Sequence, residues 1–324
     1  MIRVDKNGFV YQTKFRLWES RASVRNAPRR VLEEDARSGK LFFPPELVPV
    51  LDHPLVKARG DAAARELLLQ RLNVYLDFTA DLEQSAVNPV AQLISRRRIG
   101  FPLPERMIED AYKICADESW HALFSDDLQR QLAAVTGTRP VLPVEPQFLA
   151  RLRAIEAEAP REIAGLPKLF FTIVSETLIS SILSGIPSDR RVVGAVRELV
   201  ADHAQDEGRH HAFFSDVFRR VWPELSPREK RLVGPLLAEF VFAFLEPDYP
   251  ALLRMVESVG LTEAEAREAV GETHPPAVVA AGIREATSST LRLFGAHDVF
   301  ADPATAEVFV AHGLLDPSGE VQSE

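Results

Sequence analysis

The sequence has one cysteine, Cys115, among 324 residues, which excludes an internal disulfide and fits a reducing, cytoplasmic location. It has no uninterrupted run of about 18 apolar residues, so we expect no membrane span, and residues 1–6 lack the apolar core of a signal peptide. Its net charge of −9 and pI near 5.5 are unlike the basic surface of a nucleic-acid-binding domain. No strand pattern of any length is present, which favours an all-α fold.

Two segments, 117–121 and 206–210, repeat the pattern Asp-Glu-x-x-His. Glu and His three positions apart lie on one face of a helix, within reach of one ion. Glu83 and Glu176 add a lone glutamate from each of two further helical segments, and Glu176 lies in an apolar run, where an ionised carboxylate is costly unless it is paired or binds a metal. This is the ligand set of a carboxylate-bridged dinuclear site in a four-helix bundle. Imidazole and carboxylate ligands suit iron or manganese, and reduced diiron held this way can activate dioxygen.

A third histidine lies on the same helical stripe as the second Glu-x-x-His pair. His203 is four residues before Glu207 and seven before His210. Taken alone, its position favours a structural histidine over a ligand. The candidate metal ligands are therefore Glu83, Glu118, His121, Glu176, His203, Glu207 and His210.

Helical apolar spacing recurs along the chain and predicts a ferritin-like four-helix bundle with additional helices. The expected long helices are at about 61–84, 105–134, 167–184 and 189–222, the last capped by Ser188 and Asp189, with shorter helices at about 145–157, 227–245, 248–259, 262–270, 276–294 and 303–312. We expect one domain overall, made of an irregular N-terminal arm (1–60), a diiron helical bundle (61–295), and a C-terminal helix with a polar tail (296–324).

The ligand spacing is Glu-x34-Glu-x-x-His, followed by Glu-x26-His-x3-Glu-x-x-His. It is similar to the p-aminobenzoate N-oxygenase family of diiron enzymes, which act on amines in natural-product pathways, and the extra histidine matches a hallmark of that family. The resemblance covers about residues 60 to 295, and the arm and tail add nothing specific to it. It implies a diiron monooxygenase that uses dioxygen to convert an amine to a hydroxylamine, nitroso or nitro product.

The resemblance also implies how the ligands are shared between two iron ions, for which manganese can substitute. One ion takes Glu83 and His121, the other takes Glu176 and His210, and the two carboxylates Glu118 and Glu207 can bridge. His203 is then expected on the ion that Glu176 and His210 serve. Asp117 is expected to accept the distal N–H of His210, and Asp206 that of His121, which raises the basicity of each imidazole.

Residues that could form a substrate pocket are harder to find. Tyr75, Phe78, Phe171 and Phe244 are candidate walls. No arginine lies between Tyr75 and Glu83, where one could sit beside the metals, so p-aminobenzoate itself is in doubt and Arg284 is the candidate anchor for an acidic group. The sequence is also compatible with a carrier-bound or amino-acid-derived amine as the substrate.

Electrons must come from an external donor, because no flavin- or nicotinamide-binding glycine-rich loop is evident. A homodimer is compatible with the sequence, and no nucleic acid or membrane partner is expected. Two rival functions share the predicted bundle. One is another diiron oxidation, such as C–H hydroxylation or desaturation, and the other is a ferritin-like iron-binding or ferroxidase protein.

Overall fold

The structure is a computed structural model that describes residues 10–32, 39–183 and 185–316. Within these ranges every regular element is a helix, apart from one isolated parallel bridge between Leu41 and Val192. The all-α prediction is confirmed. None of the described helices is long and apolar enough to cross a membrane.

The N-terminal arm contains short helices rather than only irregular chain. These are α1 (Trp18–Arg21), α2 (Ser23–Asn26) and α3 (Pro54–Lys57). Pro45, Pro49 and Pro54 each lie at the first position of a short 3-10 or α-helix, where a missing N–H costs nothing. Phe15, Ala22 and Leu32 of the arm are buried, so the arm packs on the bundle.

The bundle follows in the order α4 (Gly60–Leu82), α5 (Asn88–Ser95), α6 (Glu105–Thr136), α7 (Gln147–Glu158), α8 (Leu166–Leu183) and α9 (Gly194–Val221). Helices α4 and α6 pack together, as do α8 and α9, and α6 contacts α9 across the middle. Helix α6 ends at Gly137, whose φ of 74° is the left-handed conformation that glycine adopts without strain. Helix α7 lies outside these pairs and carries no candidate ligand, as expected.

Helix α9 begins later than predicted, at Gly194 rather than near Asp189. The Asp189 carboxylate is not a helix cap. It accepts hydrogen bonds from the backbone N–H and the side chain of Arg191. This pairing stabilises a turn that precedes the helix, which is why Ser188 and Asp189 resembled a capping sequence without being one.

Between α4 and α5 the chain makes one π-helical turn, Glu83–Val87, that keeps the two helices continuous. It lies just before Pro89, which has no N–H to donate into the turn. Such turns are rare and occur often at functional sites. This one begins at Glu83. It explains why Asn88-Pro89 marks an interruption of α4 although the chain continues as a helix into α5.

The chain after the bundle folds into five further helices that cover one end of it. They are α10 (Pro227–Leu245), α11 (Tyr249–Ser258), α12 (Glu263–Thr273), α13 (Pro276–Gly295) and α14 (Pro303–Ala311). Helix α10 packs on α8 and α7, and α11 packs on α4. Residues of α4, α10 and α11 together line a cavity.

Candidate metal centre

The seven candidate ligands meet in the interior of the bundle. Glu83 begins the π turn, Glu118 and His121 come from α6, Glu176 from α8, and His203, Glu207 and His210 from α9; each is at most 1% exposed. We call these seven residues the Glu–His cluster. The pairs three positions apart aim at one point because each occupies one face of its helix.

Two overlapping groups in the cluster have ligand atoms within 4.8 Å of one another. One contains Glu83, His121, His203 and Glu207, and the other contains Glu118, His121, Glu207 and His210. A third group joins Glu83, Glu118 and Glu176 at the same spacing. Glu118 and Glu207 therefore each lie close to imidazoles from both α6 and α9, as two adjacent metal ions would require.

The position of His203 differs from the one expected. Its Nε2 lies 3.5 Å from Glu83 Oε1 and 3.1 Å from Glu207 Oε1, and its ring centroid is 4.4 Å from that of His121. His203 therefore groups with Glu83 and His121, not with Glu176 and His210. The two histidines differ in their position along the axis of α9, because His203 lies one turn before Glu207 and His210 lies almost one turn after it.

The carboxylates of the cluster differ strongly in proton affinity. Burial raises the pKa of Glu83 to about 8, and the charge of Glu118 adds to the rise. Burial also raises the pKa of Glu176 far above its ordinary value, and the negative charges of Glu207 and Glu118 raise it further. The imidazole of His210 offsets this only weakly, because its Nδ1 is 3.9 Å from Glu176 Oε2. At Glu118 and Glu207, burial is outweighed by His210 and neighbouring imidazoles, which lower both pKa values.

Two aspartates contact the ring nitrogens of two imidazoles that face away from the cluster. His210 Nε2 lies 3.2 Å from Asp117 Oδ2, and His121 Nε2 lies 3.1 Å from Asp206 Oδ2. Each contact crosses between α6 and α9, and each leaves Nδ1 of the ring facing the cluster, where His121 Nδ1 is 2.8 Å from Glu118 Oε2. These are the pairings expected from the sequence.

The N-terminal arm contacts these two aspartates in turn, which the sequence did not indicate. The indole N–H of Trp18 donates to both oxygens of Asp117, at 2.9 and 3.0 Å. The backbone N–H of Ser23 donates to Asp206 at 3.1 Å, and Arg209 pairs with the same carboxylate. The arm is therefore part of the site, contrary to the expectation that it adds nothing specific.

An internal cavity of about 400 Å³ lies along α4, between the bundle, the arm and the helices α10 and α11. Tyr75, Phe78 and Phe244 line it, together with Phe148. Phe171 is not on its wall but lies directly behind, stacked on Phe148 with ring centroids 5.9 Å apart. Burial raises the pKa of Tyr75 well above its ordinary value, and the nearby negative charges of Glu207 and Glu83 add to the effect. Tyr75 is thus between the cavity and the Glu–His cluster.

The predicted anchor, Arg284, lies elsewhere. Its guanidinium contacts the carbonyl oxygen of Gly313 at 3.4 Å, and it is not among the residues that line the cavity. The cation on the cavity wall is Arg71, which sequence reasoning missed because the search began at Tyr75. The spacing could have found it, because Arg71 precedes Tyr75 by four residues and shares its face of α4.

The chemistry of the cluster fits a bound metal. Seven carboxylate oxygens of the cluster make no hydrogen bond in the part of the chain that is described, among them both oxygens of Glu83, Glu176 and Glu207, and the ring nitrogens of His203 make none either. Burying four acids with so few hydrogen bonds is costly unless a cation compensates them. Cys115, one turn before Glu118, is no competing thiolate, because burial raises its pKa to about 11.

A helical bundle with buried Glu-x-x-His pairs on two helices and a lone glutamate on each of two others defines the class of carboxylate–histidine metalloproteins. Within this class, the model of the "P-aminobenzoate N-oxygenase AurF" family matches residues 19–294. The chain belongs to this family, whose members are diiron enzymes. The chain is similar to a 4-aminobenzoate N-oxygenase of Streptomyces thioluteus, at 27% identity over 286 residues that cover 83% of this chain and 81% of the relative.

Family membership decides between the functions left open by the sequence. The chain is an oxygenase that N-oxygenates an amine, rather than a ferroxidase or a C–H hydroxylase. The match begins at residue 19, so it includes Ser23, whose backbone N–H donates to Asp206, and begins one residue after Trp18, which donates to Asp117.

Proposed function

We propose that the Glu–His cluster holds two iron ions, with manganese as a substitute. The observation that carries this proposal is the set of buried carboxylate oxygens and imidazole nitrogens that lack partners among the described residues. Glu83, His121 and His203 would serve one ion, Glu176 and His210 the other, and Glu118 and Glu207 would bridge. When bound, the reduced ions supply the electrons that activate dioxygen for attack on the amine nitrogen.

The chain's own residues prepare the site for that chemistry. Asp117 and Asp206 accept the Nε2–H of His210 and His121, which fixes the tautomer that leaves Nδ1 free to bind and raises its basicity. Complete burial of the cluster excludes bulk water, and the aromatic wall of Tyr75 and Phe78 would orient the amine. Electrons for repeated turnover come from an external donor.

We propose an aromatic amine as the substrate. The relative in Streptomyces thioluteus is named for 4-aminobenzoate. In this chain the supporting feature is the ring-lined cavity, where Phe78 contacts Phe148 and Phe244 with centroids 5.0 and 5.7 Å apart. Flat aromatic substrates pack well against such edges. Cytoplasmic location, homodimer formation and a role in natural-product biosynthesis stay predictions.

Metal analysis and product analysis test the proposal together. After iron reconstitution the protein should hold two iron ions per chain, and the reduced protein with oxygen and a panel of aryl amines should yield hydroxylamine, nitroso or nitro products. Glu118→Gln should lower the iron content, whereas Glu158→Gln, at an exposed site on α7, should leave it unchanged. One iron or none in the intact protein contradicts the dinuclear centre.

A further inference from the structure

Arg71 lies on the wall of the cavity without an ion-pair partner among the described residues. Among the described residues its close partner is the ring of Phe43, whose centroid is 5.2 Å from the guanidinium carbon. Two acids on the same wall have other partners. Glu46 pairs with Arg191 at 2.7 Å, and Asp248 accepts the backbone N–H groups of Ala251 and Gln147. The guanidinium donors are therefore left for a ligand in the cavity.

The surroundings of Arg71 make an anion there favourable. Burial lowers its pKa, because the charged form has lost solvation and the nearby charge of Asp248 offsets that loss only in part. His274 also lines the cavity, and burial and the charge of Arg71 lower the pKa of its imidazole. A planar guanidinium in such a position binds a carboxylate through two charge-assisted hydrogen bonds.

The distance between Arg71 and the Glu–His cluster limits the length of the ligand. Arg71 and Glu83 are twelve residues apart along α4 and its π turn, or about 18 Å at the helical rise. Both side chains lean toward the helix N-terminus, so their charged ends keep nearly the same separation. After contact distances of about 3 Å are allowed at each end, an amine at the cluster and an anion at Arg71 are roughly 12 Å apart. A single benzene ring between the two groups is shorter than this.

We propose that Arg71 binds the carboxylate of an elongated aryl amine, one whose amino group and carboxylate are separated by more than one aromatic ring. This inference rests on the proposed function, since it assumes that the amine is oxidised at the Glu–His cluster. Phe78 and Phe148 would contact the middle of such a molecule. The cavity, at about 400 Å³, has room for a two-ring ligand.

Calorimetric binding to the iron-loaded protein tests this inference without relying on turnover. The probes are 4-aminobenzoate, 4′-aminobiphenyl-4-carboxylate and the neutral amide of the latter. The wild type should bind the biphenyl carboxylate more tightly than the amide by about 10- to 100-fold, the effect of a hydrogen bond to a charged group. Arg71→Gln should abolish that difference and leave amide binding unchanged. Arg71→Lys should retain part of it, and Arg98→Gln, at an exposed site, should retain all of it.

The outcomes separate this inference from the function on which it rests. If the carboxylate and its amide bind the wild type equally, or if Arg71→Gln preserves the preference, the anion subsite is wrong even when amines are oxidised. Tighter binding of 4-aminobenzoate than of the biphenyl acid overturns the length argument. If the Arg71-dependent preference is present but no aryl amine yields an N-oxygenated product, the subsite stands and the proposed function fails.

Discussion

Replacing Glu176 should stabilise the metal-free protein, because this carboxylate lies in an apolar stretch of α8 with no hydrogen-bond partner in the described chain. Burial raises its pKa far above the ordinary value of 4.5, because the folded protein destabilises the ionised carboxylate and the charges of Glu207 and Glu118 repel it. In the unfolded chain the carboxylate is solvated and its ionisation carries no such cost. Above pH 4.5 the raised pKa therefore lowers the free energy of unfolding, and replacing Glu176 removes this loss.

The sign of the pH dependence follows from the raised pKa. As pH rises above 4.5, the folded state retains more of the proton at Glu176 than the unfolded state does, so stability falls as pH rises. Glu176→Leu removes this proton uptake. Its advantage over the wild type should therefore grow by up to about 1.4 kcal/mol per pH unit across this range. Glu176→Gln should increase the stability of the metal-free protein less than Glu176→Leu does, because the buried amide N–H groups of the glutamine would lack acceptors.

Urea unfolding of the metal-free proteins at pH 5, 6 and 7 measures these differences, with Glu158→Leu as the exposed control. Repeating the titrations with ferrous iron should reverse the order, because the wild type alone keeps the full ligand set and binding to the folded state adds stability. The reasoning is refuted if metal-free Glu176→Leu is less stable than the wild type at pH 7, or if the difference is independent of pH.

Three further predictions concern other positions. His203→Ala should keep the fold and two metals, since six ligands remain, and should slow amine oxidation; stopped-flow absorbance of the reduced variant mixed with oxygen checks this, and kinetics identical to wild type count against a ligand role. Trp18→Phe should cost about 1–2 kcal/mol in urea unfolding because it removes the N–H donated to Asp117, whereas Trp120→Phe, whose Nε1 has no partner in the described chain, should lose no such bond. Burial raises the pKa of Asp77 to about 6, so Asp77→Asn should raise thermal stability at pH 8 by about 1 kcal/mol or less, given its partial exposure, and not at pH 4; a gain that persists at pH 4 contradicts the assignment.

The inner part of the site was predictable because it depends on local geometry. Glu and His three residues apart share a helix face whatever the rest of the chain does, and an acid such as Glu176 in an apolar helix signals a partner. The pairing of Asp117 with His210 and of Asp206 with His121 came instead from the resemblance to diiron proteins. The resemblance also placed His203 with Glu176 and His210, whereas the structure groups it with Glu83 and His121. The depth of a residue relative to the neighbouring helices depends on packing rather than on spacing within α9.

The outer part of the site depends on contacts between distant segments. Trp18 and Asp117 are 99 residues apart, and Ser23 and Asp206 are 183 apart. No periodicity within a short segment records such contacts. The π turn at Glu83 and the late start of α9 at Gly194 were missed for a related reason, since tertiary packing decides between alternatives that local propensity leaves nearly equal.

The contacts of Trp18 and Ser23 also have a consequence for the order of assembly. Both belong to a segment that leaves the ribosome before the bundle does, and their partners Asp117 and Asp206 are synthesised 99 and 183 residues later. Closing loops of that length is entropically unfavourable until the bundle already exists, so the arm should dock late. A bundle without its arm would leave Asp117 and Asp206 without these two N–H donors, so arm docking would be the step that completes the support of the two imidazoles.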